Sequence, residues 1–184
     1  MDCLMKTLND YVKRYDILSP DESKNIIDLI EPGVWAPHEW YDPVEGSINN
    51  EKDFVVTNNN EACRLMDRKI RNVLHDYALS CMGEHPRDFA YSLVRFNKYS
   101  IGQSIREHID HIHNLFSGNP KGIPILSLVG CLNDDYEGGQ FTLCDEPIDI
   151  GVGQVIVFPS LFMYPHYVTP VTKGKRYSWV SWAV

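Results

Sequence analysis

The runs FAYSLVRFNKY (89–99), IPILSLVGCL (123–132), QFTLC (140–144), QVIVFP (154–159), LFMYPHYVTPV (161–171) and RYSWVSWAV (176–184) are rich in β-branched and aromatic residues and are separated by Gly, Pro and Asp clusters. Short strands at such close spacing predict a sandwich or barrel. Upstream the period changes. From Glu61 to about Met82, apolar residues such as Ala62, Met66, Ile70, Val73 and Tyr77 recur at steps of three and four with charge between them, which predicts a long amphipathic helix. Ser19-Pro20-Asp21-Glu22 predicts the start of a shorter helix reaching about Ile30, with Ser19 as cap, Pro20 at the first helical position and Glu22 closing a capping box. Between the two helices, Gly, Pro, Asn and aromatic residues follow no clear period, so loops and short strands are expected there. The stretch Trp35 to Asn60, with Trp40 and Tyr41, is a candidate lid. No repeat, linker or low-complexity tract interrupts the chain. The expectation is one α+β domain over residues 1–184, with 1–83 mainly helical support and lid and 84–184 a β core carrying the site.

Length and composition narrow the function classes. A chain of 184 residues can bury roughly 70% of its unfolded surface without disulfides. Its apolar share of 43% and charged share of 23% are ordinary for globular proteins, and no apolar run approaches the roughly 18 residues of a membrane span. The opening MDCLMKTLNDYVKRYD lacks the apolar centre and cleavage site of a secretory signal, so a cytoplasmic location away from membranes is expected. Cys3, Cys63, Cys81, Cys131 and Cys144 are odd in number and form no CxxC pair, which fits free thiols better than a disulfide or zinc framework. The net charge of -8 argues against a nucleic-acid partner; the local cluster Arg68, Lys69, Arg71 reads as a solvated helix face. Oligomeric state is left open.

The chemistry concentrates in IREHIDHIHN (105–114). On a strand, His108 and Asp110 would share one face and could bind one ion together. His166, on another predicted strand, can supply a third ligand. Two histidines and a carboxylate occupy one face of an octahedral Fe(II) and leave positions for a bidentate co-substrate and dioxygen. Ten residues beyond His166, Arg176 opens a strand whose alternation turns Ser178, Val180 and Trp182 to the same side. Its guanidinium is either an exposed strand residue or a bidentate grip for a carboxylate inside the barrel. His111 and His113 fit the ligand register poorly and are expected to face solvent or to lie behind the ligands. Gly138 and Gly139 are expected in a tight turn.

Several ordered motifs together resemble the prolyl 4-hydroxylase-like Fe(II)/2-oxoglutarate-dependent dioxygenases. YSIGQSIREHID resembles the family's Tyr-x-x-Gly-Gln followed by HxD. LNDDYEGGQFTL resembles its strand and glycine turn, and GQVIVFPSLFMYPHYVTPVTKGKRYSWVSW its distal-His and Arg segment. The likeness covers residues 91 to 184, with the first 90 following only in outline, and is nearest to small microbial and phage-encoded members. It implies a double-stranded β-helix (jelly-roll) core with supporting N-terminal helices. It also implies iron ligands His108, Asp110 and His166, and Arg176 on the distal carboxylate of 2-oxoglutarate. Tyr99 matches a tyrosine lining the co-substrate pocket. Trp182 matches an aromatic beside the metal, with plain core packing as the other reading. Two departures stand out. Ile105 replaces a tyrosine that many relatives carry, and Gly130 falls where animal oxygen-sensing prolyl hydroxylases have another, so Ser178 or Tyr99 is expected to supply the missing hydroxyl.

What the resemblance implies for activity is hydroxylation of a prolyl residue in a peptide or protein, consuming Fe(II)-bound 2-oxoglutarate and O2 and releasing succinate and CO2. Ascorbate is a further candidate cofactor, and a phage-encoded enzyme would work in its host's cytoplasm. An AlkB-like nucleic-acid demethylase is the rival enzyme reading. Asn97-x-Tyr99, Gly102 and the HxD also fit that pattern, but a second Arg six residues after the first is replaced by Trp182 and the chain is acidic. A non-catalytic jelly-roll module binding a metal or small ligand is the third.

Overall fold

Local chemistry sets both helices. In the computed structural model, α1 (Pro20–Ile30) starts at the predicted cap: Ser19 Oγ accepts from the Glu22 N–H at 3.2 Å and the Glu22 carboxylate accepts from the Ser19 N–H at 2.8 Å. The longer α2 (Asn60–Cys81) is capped by Asn59, whose side chain accepts from the N–H groups of Glu61 and Ala62 at 3.0 Å. Each cap satisfies donors that a helix start otherwise leaves unpaired. The structure describes residues 6–42, 46–49, 52–83, 89–110 and 123–184, so Cys3, His111 and His113 lie outside the described residues.

Among the described residues, fifteen strands accompany the helices. Before α2 come β1 (Lys13–Asp16), β2 (Ala36–Pro37), β3 (Glu39–Asp42), β4 (Gly46–Asn49) and β5 (Val55–Thr57). After it come β6 (Arg95–Tyr99), β7 (Ile105–His108), β8 (Leu126–Cys131), β9 (Glu137–Gly138), β10 (Phe141–Leu143) and β11 (Glu146–Ile148). The last four are β12 (Gln154–Pro159), β13 (His166–Val168), β14 (Val171–Lys173) and β15 (Arg176–Ala183). A seven-stranded sheet runs in the order β1-β12-β8-β15-β6-β5-β2 and a four-stranded sheet in the order β11-β10-β13-β7; β14 with β9 and β3 with β4 form separate pairs. Pairing is antiparallel throughout both main sheets.

Strand alternation divides the interior into two cores. One face of the large sheet, with Phe96, Leu128, Val157 and Trp179, packs on Met66, Ile70 and Tyr77 of α2. Its other face, with Tyr99, Val129, Ile156 and Phe158, meets Phe141, Leu143 and Val168 of the small sheet. Two facing sheets backed by helices form a double-stranded β-helix, as the sequence implied. The first 83 residues give more than helical support, because β1, β2 and β5 extend the large sheet at both edges. Among the described residues, no helix is long and apolar enough to cross a membrane.

Gly130 corrects one sequence expectation. It lies opposite Trp179 in the β8–β15 register, and a Cβ placed there would sit 2.1 Å from the Trp179 indole nitrogen. Gly130 therefore faces the helices, and it is Cys131 that joins the core between the sheets. The missing side chain makes room for a tryptophan with no measurable exposure. Gly130→Ala is expected to destabilise the fold by roughly 1–3 kcal/mol through overpacking. Urea unfolding measures this, and an unchanged midpoint would contradict the packing account.

Candidate active site

The small sheet brings the two histidines together. His166 on β13 pairs directly with His108 on β7, and their rings lie 4.2 Å apart between centroids. β7 ends at His108, so Asp110 stands beyond the strand, not on its face as the spacing predicted. It reaches the histidines nonetheless: His108 Nε2 lies 3.6 Å from Asp110 Oδ1, and His166 Nε2 lies 3.6 Å from Asp110 Oδ2. Ser127 of β8 holds the carboxylate from across the barrel by donating to Oδ2 at 2.6 Å, and Ser160 lies 2.7 Å from Ser127 Oγ. One ligand atom from each of the three residues can be chosen so that all lie within 4.8 Å of one another.

The donor set suits a divalent metal. His108 Nδ1 is 2.9 Å from the Arg106 carbonyl and His166 Nδ1 is 3.1 Å from the Tyr164 carbonyl. A carbonyl only accepts, so both Nδ1 atoms carry a proton and both Nε2 atoms are the ones turned to the carboxylate, the ring orientation a metal ligand needs. Burial, and then the neighbouring His166, push His108 down to about 4, which keeps it neutral at physiological pH. For Asp110, burial acts to raise the pKa. The two histidines and the hydrogen bonds from Ser127 and Trp182 outweigh it, holding the carboxyl below its ordinary value and ionised.

At the other end of the β6–β15 ladder, Arg176 pairs with Tyr99. It is 2% exposed, donates from Nη1 to Ser178 Oγ at 2.8 Å, and lies with its guanidinium 5.2 Å from the Tyr99 ring centre. Its enclosed Nε has no hydrogen-bond partner, and among the described residues it forms no ion pair. Arg176 walls a cavity of about 380 Å³ that also touches Tyr136, Phe141 and Ile150. The cavity does not reach the triad itself, but Phe141 spans the gap, its ring centre lying 5.7 Å from that of His166. Gly139, with φ of +60°, leaves Arg176 its room: a Cβ would come within 2.9 Å of Arg176 Cδ.

Tyr136 is a further hydroxyl beside Arg176 that the sequence reading did not single out. Burial raises its pKa to about 12, and its phenol interacts with Arg176 and lies 3.8 Å from Cys131 Sγ. The signal was its place in DDYEGG, just before the glycines that admit Arg176. Tyr99, also near 12 through burial, stacks on Phe54 at 4.5 Å as well as facing Arg176. Ile105 is buried between the sheets.

A second layer covers the triad from the N-terminal half. The Trp40 ring meets His108 edge-on at 5.3 Å and its indole N–H donates to Asp53. Buried His38 packs on Trp40 at 4.8 Å and stacks on Phe54 at 4.5 Å. Of the stretch expected as a lid, β2 and β5 are built into the large sheet and Trp40 is seated against a candidate ligand; residues 43–45 and 50–51 lie outside the described residues. Trp182 sits beside Asp110, with the Arg95 guanidinium 4.9 Å from its ring centre.

With this geometry in place, comparison with known proteins assigns the class. The model of the 2OG-Fe(II) oxygenase superfamily matches residues 94–184. A PKHD-type hydroxylase of Nitrobacter winogradskyi is 29% identical over 182 residues, covering 91% of this chain and 75% of that protein. A PKHD-type hydroxylase of Stenotrophomonas maltophilia is 31% identical over 125 residues, covering 61% of this chain and 55% of that protein. This chain thus spans between about half and three quarters of the length of these relatives. Among solved structures, the viral collagen prolyl hydroxylase from Paramecium Bursaria Chlorella virus-1 superposes with a TM-score of 0.66 at 19% identity, covering 94% of each chain. A Pseudomonas putida prolyl-4-hydroxylase superposes with a TM-score of 0.67 at 18% identity, covering 94% of this chain and 91% of that one. Residues 94–184, about half of the chain, thus match the 2OG-Fe(II) oxygenase superfamily, whose members use Fe(II), 2-oxoglutarate and O2.

His38 gives the site a measurable acid limb. Burial, then the charges of Arg95, His108 and Arg106, depress its pKa from 6.5 to about 3. Between those values the unfolded chain binds a proton that the folded chain excludes, so this contribution is complete above 6.5 and is lost as pH falls toward 3. Urea unfolding at stepped pH is expected to give a shallower acid decline for His38→Gln, by up to about one proton. Identical slopes would show that His38 is not the group involved.

Proposed function

We propose that this chain is an Fe(II)- and 2-oxoglutarate-dependent dioxygenase that hydroxylates a prolyl residue in a peptide or protein. In this reading His108, Asp110 and His166 hold the iron through two Nε2 atoms and a carboxylate oxygen, and Arg176 takes the distal carboxylate of 2-oxoglutarate. The observation that carries it is the pairing of a metal-competent triad with a buried guanidinium lacking any carboxylate partner among the described residues, joined through Phe141. The prolyl substrate is supported by the two structural neighbours described above, both of them prolyl hydroxylases.

Bound iron would supply redox chemistry: O2 is consumed, 2-oxoglutarate loses CO2 and becomes succinate, and the second oxygen atom enters a substrate C–H bond as a hydroxyl. The chain's own residues bind and aim. Arg176, with Ser178 and Tyr136 beside it, fixes one end of the co-substrate, and a buried guanidinium grips a carboxylate more firmly than it could in water. Ser127 and Trp182 orient Asp110, and the carbonyls of Arg106 and Tyr164 orient the histidines. Phe141, Phe158 and Trp40 line the histidine rings and keep water from them.

Anaerobic addition of Fe(II) and 2-oxoglutarate is expected to give the visible charge-transfer band of a keto-acid chelate, and His166→Ala is expected to abolish it. A folded, metal-loaded wild-type protein without the band would favour a binding module instead. Arg176→Lys is expected to keep the band while raising the 2-oxoglutarate requirement by about tenfold or more, since an ammonium cannot reproduce two parallel hydrogen bonds. An unchanged requirement would remove Arg176 from its role.

A further inference from the structure

Arg95 is a cation that the co-substrate chemistry leaves unused. The alternation that turns Tyr99 inward on β6 turns Arg95 to the same side. Four residues separate the two, so at about 3.3 Å per residue the backbones of Arg95 and Arg176 are held about 13 Å apart along the ladder, too far for both to grip one small carboxylate end. Arg95 lies at the Asp110 end. Its guanidinium is 4.9 Å from the Trp182 ring centre and 5.8 Å from that of Phe54. Its enclosed Nε has no hydrogen-bond partner, and among the described residues it makes no ion pair. Asp110 is the acid that acts on its charge, and the reading above commits that carboxylate to the metal.

A second cation stands nearby. Arg106, exposed on β7, lies 4.3 Å from the ring centre of Trp40, the indole that packs on His108. Both arginines act on the charge of His38, so both lie on the side of the triad that Trp40 and His38 cover. Asp53, an acid on this side, accepts from the Trp40 indole and lies 3.8 Å from His38 Nδ1. The chain carries a net charge of -8, so two cations gathered here do not follow from composition. A half-buried guanidinium whose enclosed Nε has no partner and whose neighbours are aromatic faces regains hydrogen bonding when an anion arrives, and its planar fork matches a carboxylate.

We propose that Arg95 receives a carboxylate of the substrate next to the carbon that is hydroxylated, with Arg106 attracting it at the rim. The substrate class is therefore acidic: an Asp or Glu side chain flanking the target residue in a peptide, or the carboxylate of a small free acid. The inference rests on the triad and Arg176 acting as proposed above, and it adds a specificity-determining residue on the opposite side of the metal.

The test uses the full chain with Fe(II), 2-oxoglutarate and O2. It is offered a defined pool: prolyl peptides flanked by Glu, their Gln twins, Glu peptides without proline, and free proline. Mass spectrometry reads the gain of one oxygen atom. The acidic members are expected to be used at least about tenfold faster than their amide twins at low concentration, the gain of one charge-assisted pair. Arg95→Gln is expected to remove that advantage by raising KM for the acidic member toward the value for the amide, and Arg95→Lys to keep part of it, while both retain the keto-acid chelate band. Equal use of acidic and amide twins by the wild type, persistence of the advantage in Arg95→Gln, or no oxidised acidic member overturns the proposal. The pool also separates the two readings. Oxidation confined to acidic members without proline would keep the carboxylate and discard the prolyl substrate. Equal use of Glu and Gln prolyl peptides would do the reverse, and free proline as the preferred member would name the small acid as the source.

Discussion

The hydrogen bond from Ser127 Oγ to Asp110 is the point where the two sheets become one site. Ser127 belongs to the fully buried β8 of the large sheet, and Asp110 follows the last residue of β7 in the small sheet. Without that bond the carboxylate, which lies past the end of β-pairing at His108, would be held by Trp182 alone. With it, the acid is drawn back over two histidines already fixed by their own pairing. Burial, which should discourage a carboxylate there, is offset because the same few ångströms hold two imidazoles, a serine and an indole. Positioning and ionisation have one cause.

Aromatic rings do the remaining separation. Phe141 divides the triad from the cavity at Arg176, Trp40 covers His108, and Trp182 stands between Asp110 and Arg95. The Trp40 and Phe141 rings sit edge-on or tilted against the histidines, an arrangement that excludes water without adding charge. Arg95 and Arg176 thus lie on the same side of the large sheet as the three candidate metal-binding side chains, and neither forms an ion pair among the described residues.

How much of this was legible in the sequence depended on the range of the interaction. Ser19-Pro20-Asp21-Glu22 announced α1 because a capping box is a contact over three residues, and α2 announced itself through its period. His108, Asp110, His166 and Arg176 were legible as a spaced set, and the alternation of RYSWVSW put Ser178 and Trp182 on the arginine's side, where they are found. Alternation in RFNKY would equally have put Arg95 beside Tyr99, but an arginine reads first as a surface residue. Gly130 misled because one strand position decides which core a residue faces. His38 and Trp40 could not be placed on His108 by any local rule, since about seventy residues intervene and only the pairing of β5 with β6 folds them over. KRYD (13–16) is too short and too charged to read as a strand until Val155 and Val157 lie beside it.

Those inconspicuous N-terminal strands have an effect of a different kind. They form both outer margins of the seven-stranded sheet: β1 on one side, carrying Lys13, Arg14 and Asp16, and the two-residue β2 on the other, ending in Pro37. A long, flat, apolar margin would offer unpaired N–H and C=O groups to the next molecule, whereas charge, brevity and a proline each make such joining costly. The apolar central strands β8 and β12, which would self-associate most readily, lie behind these guards. The segment least visible in the sequence therefore does much to keep a sheet of this width from growing into its neighbours.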